Sequence, residues 1–205
     1  LSKFADPQNP DQLNLPGISA DILITGVGMV ATAFALGKQL ALNHYDLAIN
    51  LGIAGSFSFD IELGEVVLIT EDVFAEQGAE DGEKFLSLDD LGFGEITQYP
   101  VSNFQMGEDA NLNLTMLEQI RRVKAITVNT VHGHEFSISK TLSRFKSEVE
   151  SMEGASFFYA CNQTKTPCIQ VRAISNYVEP RDKEKWRLSL AINNLNDFII
   201  SFLVP

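Results

Sequence analysis

Short, nearly continuous apolar runs constrain this chain more than any other feature. Residues 21–25 (DILIT), 47–51 (LAINL), 65–70 (EVVLIT), 123–128 (VKAITV) and 167–174 (PCIQVRAI) lack the strict alternation of a strand with one wet face. Strands of this kind belong in a sheet covered on both sides. Helical spacing marks residues 29–43, 111–120, 138–146, 152–162 and 183–203. In the last of these, Trp186, Leu190, Leu195, Phe198 and Phe202 recur at helical intervals behind Asp182, a candidate N-cap. Strands alternating with helices predict a three-layer α/β domain with a mostly parallel or mixed sheet. Residues 1–17 offer no element beyond a short helix tail over 1–4, and residues 74–106 read as loops.

The length of 205 residues suits one domain, and 45% apolar with 20% charged residues is a globular balance with material for a large core. The net charge of −12 argues against nucleic acid as a partner, since phosphate binding needs a basic face. Much of the acid lies in one stretch, Glu71, Asp72, Glu76, Glu80, Asp81, Glu83, Asp89 and Asp90, which reads as a solvated loop. The uncharged run over 22–37 is shorter than the ~20 apolar residues that span a bilayer, so no membrane segment is expected. No secretory leader is recognised at the start, and Cys161 and Cys168 lack disulfide-framework or zinc spacing. A cytoplasmic protein with two reduced thiols is expected.

In a sheet of this kind ligands collect at the carboxyl ends of the strands. Those ends are Gly26-Val27-Gly28, Gly52-Ile53-Ala54-Gly55, residues 129–134 and residues 172–176. The first is an incomplete dinucleotide motif, because Ala31 stands where a third glycine would be needed. It serves equally as a tight turn, and so does Gly52–Gly55. With Ser151 as N-cap, Glu153 falls in a helix's first turn, where the dipole favours an ionised carboxylate. Such a group can accept from two neighbouring hydroxyls, as on a ribose, or can serve the dipole alone. Arg172 at the end of a buried strand needs a carboxylate or ligand partner, and Asn176 reads as a turn residue. His132 and His134 share a face, but no third ligand has matching spacing, so neither a metal nor a cofactor is expected. No serine stands in a nucleophile elbow.

Taken together, the motifs Gly26-Val27-Gly28, Asn50-Leu51-Gly52-Ile53-Ala54-Gly55, Ser151-Met152-Glu153-Gly154-Ala155 and Val171-Arg172-Ala173-Ile174-Ser175-Asn176 resemble the nucleoside phosphorylase/hydrolase superfamily. Their order and spacing look like the methylthioadenosine/S-adenosylhomocysteine nucleosidases. The resemblance covers nearly the whole chain from Asp21 and implies a three-layer α/β/α phosphorylase fold with a central mixed sheet. It implies that Glu153 binds the ribose hydroxyls, Met152 packs on the sugar, and Arg172 orients the attacking water. Asn176 and Ser175 would lie at the purine, and Ile53, Ala54 and Gly55 would line sugar and base. A nucleoside is the implied partner, and a homo-oligomer the implied assembly.

Asn176 stands where the nucleosidases usually carry an aspartate acid. An amide can accept from N7–H while donating to a 6-oxo group, so a 6-oxopurine nucleoside is the expected substrate. Phosphorylases of the superfamily hold phosphate with an arginine before the G-x-x-G motif; no arginine precedes Arg121 here, which favours hydrolysis. The run Tyr177-Val178-Glu179-Pro180-Arg181-Asp182-Lys183, with Trp186 beyond it, resembles the futalosine hydrolase subfamily, which removes hypoxanthine from futalosine in menaquinone biosynthesis. Arg181 or His132 would then meet the substrate's carboxyphenyl group. A purine nucleoside phosphorylase, another nucleosidase, and an inactive nucleoside-binding module are the alternatives. Residues 1–205 are expected to form a single nucleoside hydrolase domain. The first strand of the family, which bears the water-activating glutamate, has no match from Leu1 onward and is expected to precede it.

Overall fold

In chain order the elements are β1 (Gln12–Leu15), β2 (Ile18–Asp21), α1 (Met29–Leu42), β3 (Ala48–Ser56), β4 (Val66–Phe74), β5 (Gly78–Asp81), β6 (Lys84–Ser87) and α2 (Leu88–Leu91). Then follow β7 (Thr97–Gln98), α3 (Thr115–Gln119), β8 (Arg121–Thr127), α4 (Glu135–Arg144), β9 (Val149–Ser151), α5 (Gly154–Thr164), β10 (Cys168–Tyr177) and α6 (Leu188–Leu203). This computed structural model describes residues 5, 8–9, 11–102 and 112–204.

Six strands form one mixed sheet in the order β10-β3-β9-β8-β4-β7. β10 runs parallel to β3, and β8 parallel to both β4 and β9, while β3–β9 and β4–β7 are antiparallel. The sheet curls far enough for β4 to pair antiparallel with β10 as well, through Val66–Ala173 to Leu68–Val171. Alternate residues of the apolar strands therefore serve two cores. On one face Val67, Ile69, Val123, Ala125 and Ile174 meet Leu36 and Leu40 of α1 and Phe157, Phe158 and Cys161 of α5. On the other, Leu68, Ile169 and Val171 meet Phe198, Ile199, Phe202 and Leu203 of α6. This is the three-layer arrangement expected. Phe158 and Phe202 are fully buried, each contributing roughly 1.5–3 kcal/mol of transfer free energy.

Several boundaries differ from the sequence reading. Residues 22–25 form no strand; β2 ends at Asp21 and Ile24 is 85% exposed, because this run finds no sheet neighbour among the described residues. The hairpin before it turns on Pro16-Gly17, with Gly17 at φ +71 where a type II turn needs a left-handed residue. Gly52 to Gly55 are not a turn: β3 continues through them in register with β10. The loop over 74–102 contains the β5–β6 hairpin and the capped helix α2, in which Ser87 and Asp90 form a reciprocal capping box. Asp182 caps a 3-10 turn at Lys183–Lys185 and α6 begins only at Leu188. The helix expected over 111–120 is seen as α3 alone; Asn111 and the helix tail at 1–4 lie outside the described residues. No helix among the described residues is long and apolar enough to cross a membrane.

Candidate active site

The carboxyl half of β10 carries two of the expected residues, and a bulge aims them. The pairing with β3 shifts between Ile174 and Asn176, leaving Ser175 as the extra residue. Bulges re-aim side chains in this way next to functional sites. Asn176 is thus a strand residue opposite Gly55, not a turn residue. Its Oδ1 accepts from the Ser175 hydroxyl at 2.8 Å, and its Nδ2 donates to the Tyr177 carbonyl at 3.0 Å. A Cβ on Gly55 would press on Val178 and on the Asn176 amide, so glycine is required there by close approach.

Glu153 is the residue before α5 and occupies the N-cap position itself, whereas Ser151 ends β9. The correction matters because the Glu153 side chain does not cap the helix. Its Oε1 accepts from the Gly28 amide at 3.0 Å and its Oε2 lies 3.9 Å from Nη1 of Arg172. The Ser151 hydroxyl serves the helix instead, accepting from the Gly154 amide at 3.3 Å. Gly28, at φ +94, can turn its N–H toward the carboxylate because it has no Cβ. Arg172 is almost wholly buried, and its guanidinium lies against Gly52, where a Cβ would collide with it. Burial pushes the guanidinium below its usual range, opposed by Glu153 and then Asp72.

Asp72 does not belong to a solvated acidic loop, although its place in the acidic run suggests one. It lies in β4 with no exposed surface. Its Oδ1 accepts from the Thr127 hydroxyl at 2.7 Å and its Oδ2 from Nε2 of Gln170 at 3.1 Å. Gln170 in turn accepts with Oε1 from Nε and Nη2 of Arg172, at 3.2 and 2.8 Å. Burial raises the Asp72 carboxyl to about 6, against the hydrogen bonds from Thr127 and Gln170 and the charge of Arg172. Spacing alone could not have shown this, although a charged residue inside an apolar strand is a signal that composition hides.

A cavity of about 280 Å³ is lined by Gly55, His132, Glu150, Asn176, Arg181 and Trp186 among others, and neither Glu153 nor Arg172 is part of its lining. His132 is fixed there by Glu150, whose Oε1 accepts from the His132 amide at 3.0 Å and whose Oε2 meets Nδ1 at 2.5 Å. The ring's Nε2 pairs with the Thr141 hydroxyl at 2.8 Å. The Arg181 guanidinium stacks over the Trp186 ring at 5.1 Å. His134 is elsewhere employed, as the N-cap of α4. Of the remaining expected residues, Met152 neighbours the cluster, its amide 3.3 Å from Oε2 of Glu153. Ala54 is buried and gives its carbonyl to Ser175, and Ile53 is 36% exposed; neither lines the cavity, nor do Met152 and Ser175. Glu150, Asp72 and Gln170 are the residues sequence reasoning missed. Among the described residues no cluster of His, Cys, Asp or Glu could hold a metal ion.

The arrangement thus offers a carboxylate held beside a buried guanidinium, and an amide in the wall of a cavity of small-molecule size. That pairing on an α/β scaffold suits a polar ligand with vicinal hydroxyls and a heterocycle. The Phosphorylase superfamily profile matches residues 17–203, and the chain belongs to that superfamily. Within it the chain groups with the futalosine hydrolases. It is 31% identical over 185 residues to the futalosine hydrolase of Thermus thermophilus, covering 88% of this chain and 80% of that one. It is 28% identical over 208 residues to the enzyme of that name from Streptomyces coelicolor, covering 95% and 86%. Among solved structures, it resembles a 5′-methylthioadenosine/S-adenosylhomocysteine nucleosidase from Colwellia psychrerythraea in complex with adenine. That match has a TM-score of 0.71 and 25% identity over 94% of this chain and 80% of the other.

Proposed function

We propose that this protein hydrolyses the N-glycosidic bond of a 6-oxopurine nucleoside, futalosine being the substrate, with hypoxanthine as the released base. The observation that carries the reading is the Glu153 carboxylate, pinned by the Gly28 amide on one oxygen and facing Arg172 with the other. Cleavage develops positive charge on the sugar, and an anion fixed beside the ribose stabilises it where it forms. In this reading Glu153 holds the ribose hydroxyls and Arg172 orients the water. Met152 packs on the sugar, with Ile53, Ala54 and Gly55 along sugar and base.

Asn176 reads the base. On binding, its Nδ2 exchanges the Tyr177 carbonyl for O6 of the purine; as the glycosidic bond breaks and N7 takes up a proton originating from water, its Oδ1 accepts from the N7–H so formed. Ser175 orients that amide through its 2.8 Å hydrogen bond. Arg181, stacked on Trp186 in the same cavity, meets the carboxylate of the 5′ substituent, and His132 closes the wall. The nucleosidase reading has support in the likeness to the Colwellia protein. It fits Asn176 less well, because an amide cannot supply the proton an aspartic acid gives to adenine.

Residues 1–205 act in this reading as one domain, in a homo-oligomer for which the exposed Val30 and Phe34 of α1 offer an apolar face. The two buried free thiols, Cys161 and Cys168, support a cytoplasmic location. The test is incubation with futalosine, inosine and methylthioadenosine, each with and without phosphate. Hypoxanthine release from futalosine independent of phosphate is expected. Release from inosine only when phosphate is present would overturn the proposal in favour of a phosphorylase.

A further inference from the structure

We infer that Asp72 is a positioning residue for Arg172, acting through the Gln170 amide, and that its ionised form is the one that holds the site ready. The inference rests on the reading of Arg172 as a residue of the hydrolytic site.

Hydrogen-bond polarity sets the direction of each link between these side chains. Thr127 accepts from the Ala155 amide at 2.7 Å, so its own proton is directed to Asp72 Oδ1. Asp72 Oδ2 accepts from Nε2 of Gln170, which forces the other end of that amide, Oε1, toward Arg172. There Oε1 takes two N–H groups of the guanidinium, Nε and Nη2, leaving Nη1 for Glu153. The chain therefore reads from the Ala155 amide to Thr127 to Asp72, and from Arg172 through Gln170 to the same carboxylate. Every donor has one acceptor, and the acceptor that ends both runs is Asp72. All four side chains other than Glu153 are buried, so water does not substitute for a lost partner.

Protonation of Asp72 breaks the pattern. A proton on Oδ2 must find an acceptor, and the nearest is Oε1 of Gln170 after a flip of its amide. The flipped amide then presents Nε2 to the guanidinium, donor against donor, and Arg172 loses its anchor. The charged groups that act on Asp72 are Arg172 of β10, which favours its ionisation, and Glu153 before α5, which opposes it. With burial, these place the carboxyl at about 6, inside the working pH range of an enzyme. The packing leaves no slack: a Cβ on Gly154, at the start of α5, would collide with Asp72 Oδ2 and with both amide atoms of Gln170.

The full chain is tested as wild type, Asp72→Asn and Gln170→Met, with two measurements. The first is kcat and KM on futalosine from about pH 5 to about pH 8, together with Tm. The second, free of turnover, is the side-chain Nε–H resonance of Arg172 in protein labelled with ¹⁵N-arginine, assigned by its absence from Arg172→Lys. In wild type the Arg172 resonance and kcat are expected to titrate together with a midpoint near 6, while KM changes little. In Asp72→Asn, which mimics the protonated acid, both should be independent of pH, with kcat at the wild-type acid level. Gln170→Met should lower kcat about ten- to hundredfold at every pH while remaining folded. An Asp72→Asn protein that keeps the wild-type acid limb and the titrating Arg172 signal overturns the inference. So does one that changes Tm alone, which is the mark of a merely structural role. If the wild type hydrolyses no nucleoside, the functional reading fails, and the arginine resonance still decides the network.

Discussion

The Gly28 amide donates to Oε1 of Glu153 at 3.0 Å across 125 residues of sequence, joining the loop before α1 to the residue before α5. The bond fixes one carboxylate oxygen and leaves the other 3.9 Å from Arg172. Glu153→Gln preserves the shape and removes the charge. We predict that kcat on futalosine falls by about 10²–10³ in this variant, the order seen when a charge-stabilising group is lost, with Tm nearly unchanged. A variant retaining wild-type kcat would exclude Glu153 from charge stabilisation. Gly28→Ala is expected to raise KM and to destabilise by about 1–3 kcal/mol, because φ +94 is a conformation that alanine adopts only under strain.

Asn176 faces Gly55 across the β10–β3 bulge, and its amide has both a donor and an acceptor to offer a base. Asn176→Asp replaces the donor with a second acceptor. The preference for the 6-oxo nucleoside over its 6-amino analogue should then fall by at least tenfold, and reverse if the acid also protonates N7. Competition between the two nucleosides, read as the ratio of kcat/KM values, checks this. An unchanged ratio would mean that the base is read elsewhere.

These two positions divide what the sequence could and could not reveal. The apolar runs located β3, β4, β8 and β10 because burial on both faces leaves a local signature. The run at 22–25 has the same composition yet ends exposed, since a strand needs a neighbour and no local pattern states whether one is present. Glycines misled in the opposite direction. Gly52 and Gly55 suggested a turn, but they are small because Arg172 and Asn176 press against them from β10. Glu150 of β9 meets His132 of the loop after β8 over 18 residues, and Asp72 of β4 meets Gln170 of β10 over 98, through side-chain contacts that no spacing rule predicts. Gln170 was hidden for a further reason: a polar side chain inside an apolar strand reads as tolerated noise until its partner is known.

Gly154 gives a test in which intrinsic propensity and packing point in opposite directions. Alanine is favoured over glycine in a helix by about 1 kcal/mol, so Gly154→Ala should stabilise α5 if the site were open. The Cβ instead meets Asp72 and Gln170. We predict a net loss of about 1–3 kcal/mol in urea unfolding, typical of overpacking a tight interior, together with reduced kcat. A rise in Tm would show that the network can yield to a methyl group.

The stability of the fold should depend on Asp72 in a direction opposite to that of activity. Its carboxyl is raised from 3.8 to about 6, so the folded state holds the proton more tightly than the unfolded chain. The cost of ionising it in the folded state is absent below pH 3.8, grows between pH 3.8 and about 6, and is complete above. At roughly 1.4 kcal/mol per unit, the full cost is on the order of 3 kcal/mol. Unfolding free energies of wild type and Asp72→Asn, compared near pH 4 and near pH 7, should therefore diverge by that amount, the asparagine protein gaining at the higher pH. A constant difference would mean that Asp72 does not titrate in the folded protein.

Arg181 tests whether the cavity selects its substrate by the 5′ substituent. Its guanidinium carbon lies 5.1 Å from the Trp186 ring centroid, within cation–π range, and Arg181 lines the cavity. Arg181→Ala removes the charge and leaves Glu153, Arg172 and Asn176 untouched. KM for futalosine should rise about tenfold to a hundredfold, the order of a lost charge-assisted hydrogen bond of ~1.5–3 kcal/mol. KM for inosine, which has no such group, should change little. An equal rise for both nucleosides would place Arg181 at the sugar or base, or in the fold alone, and would move the carboxylate's partner elsewhere in the cavity.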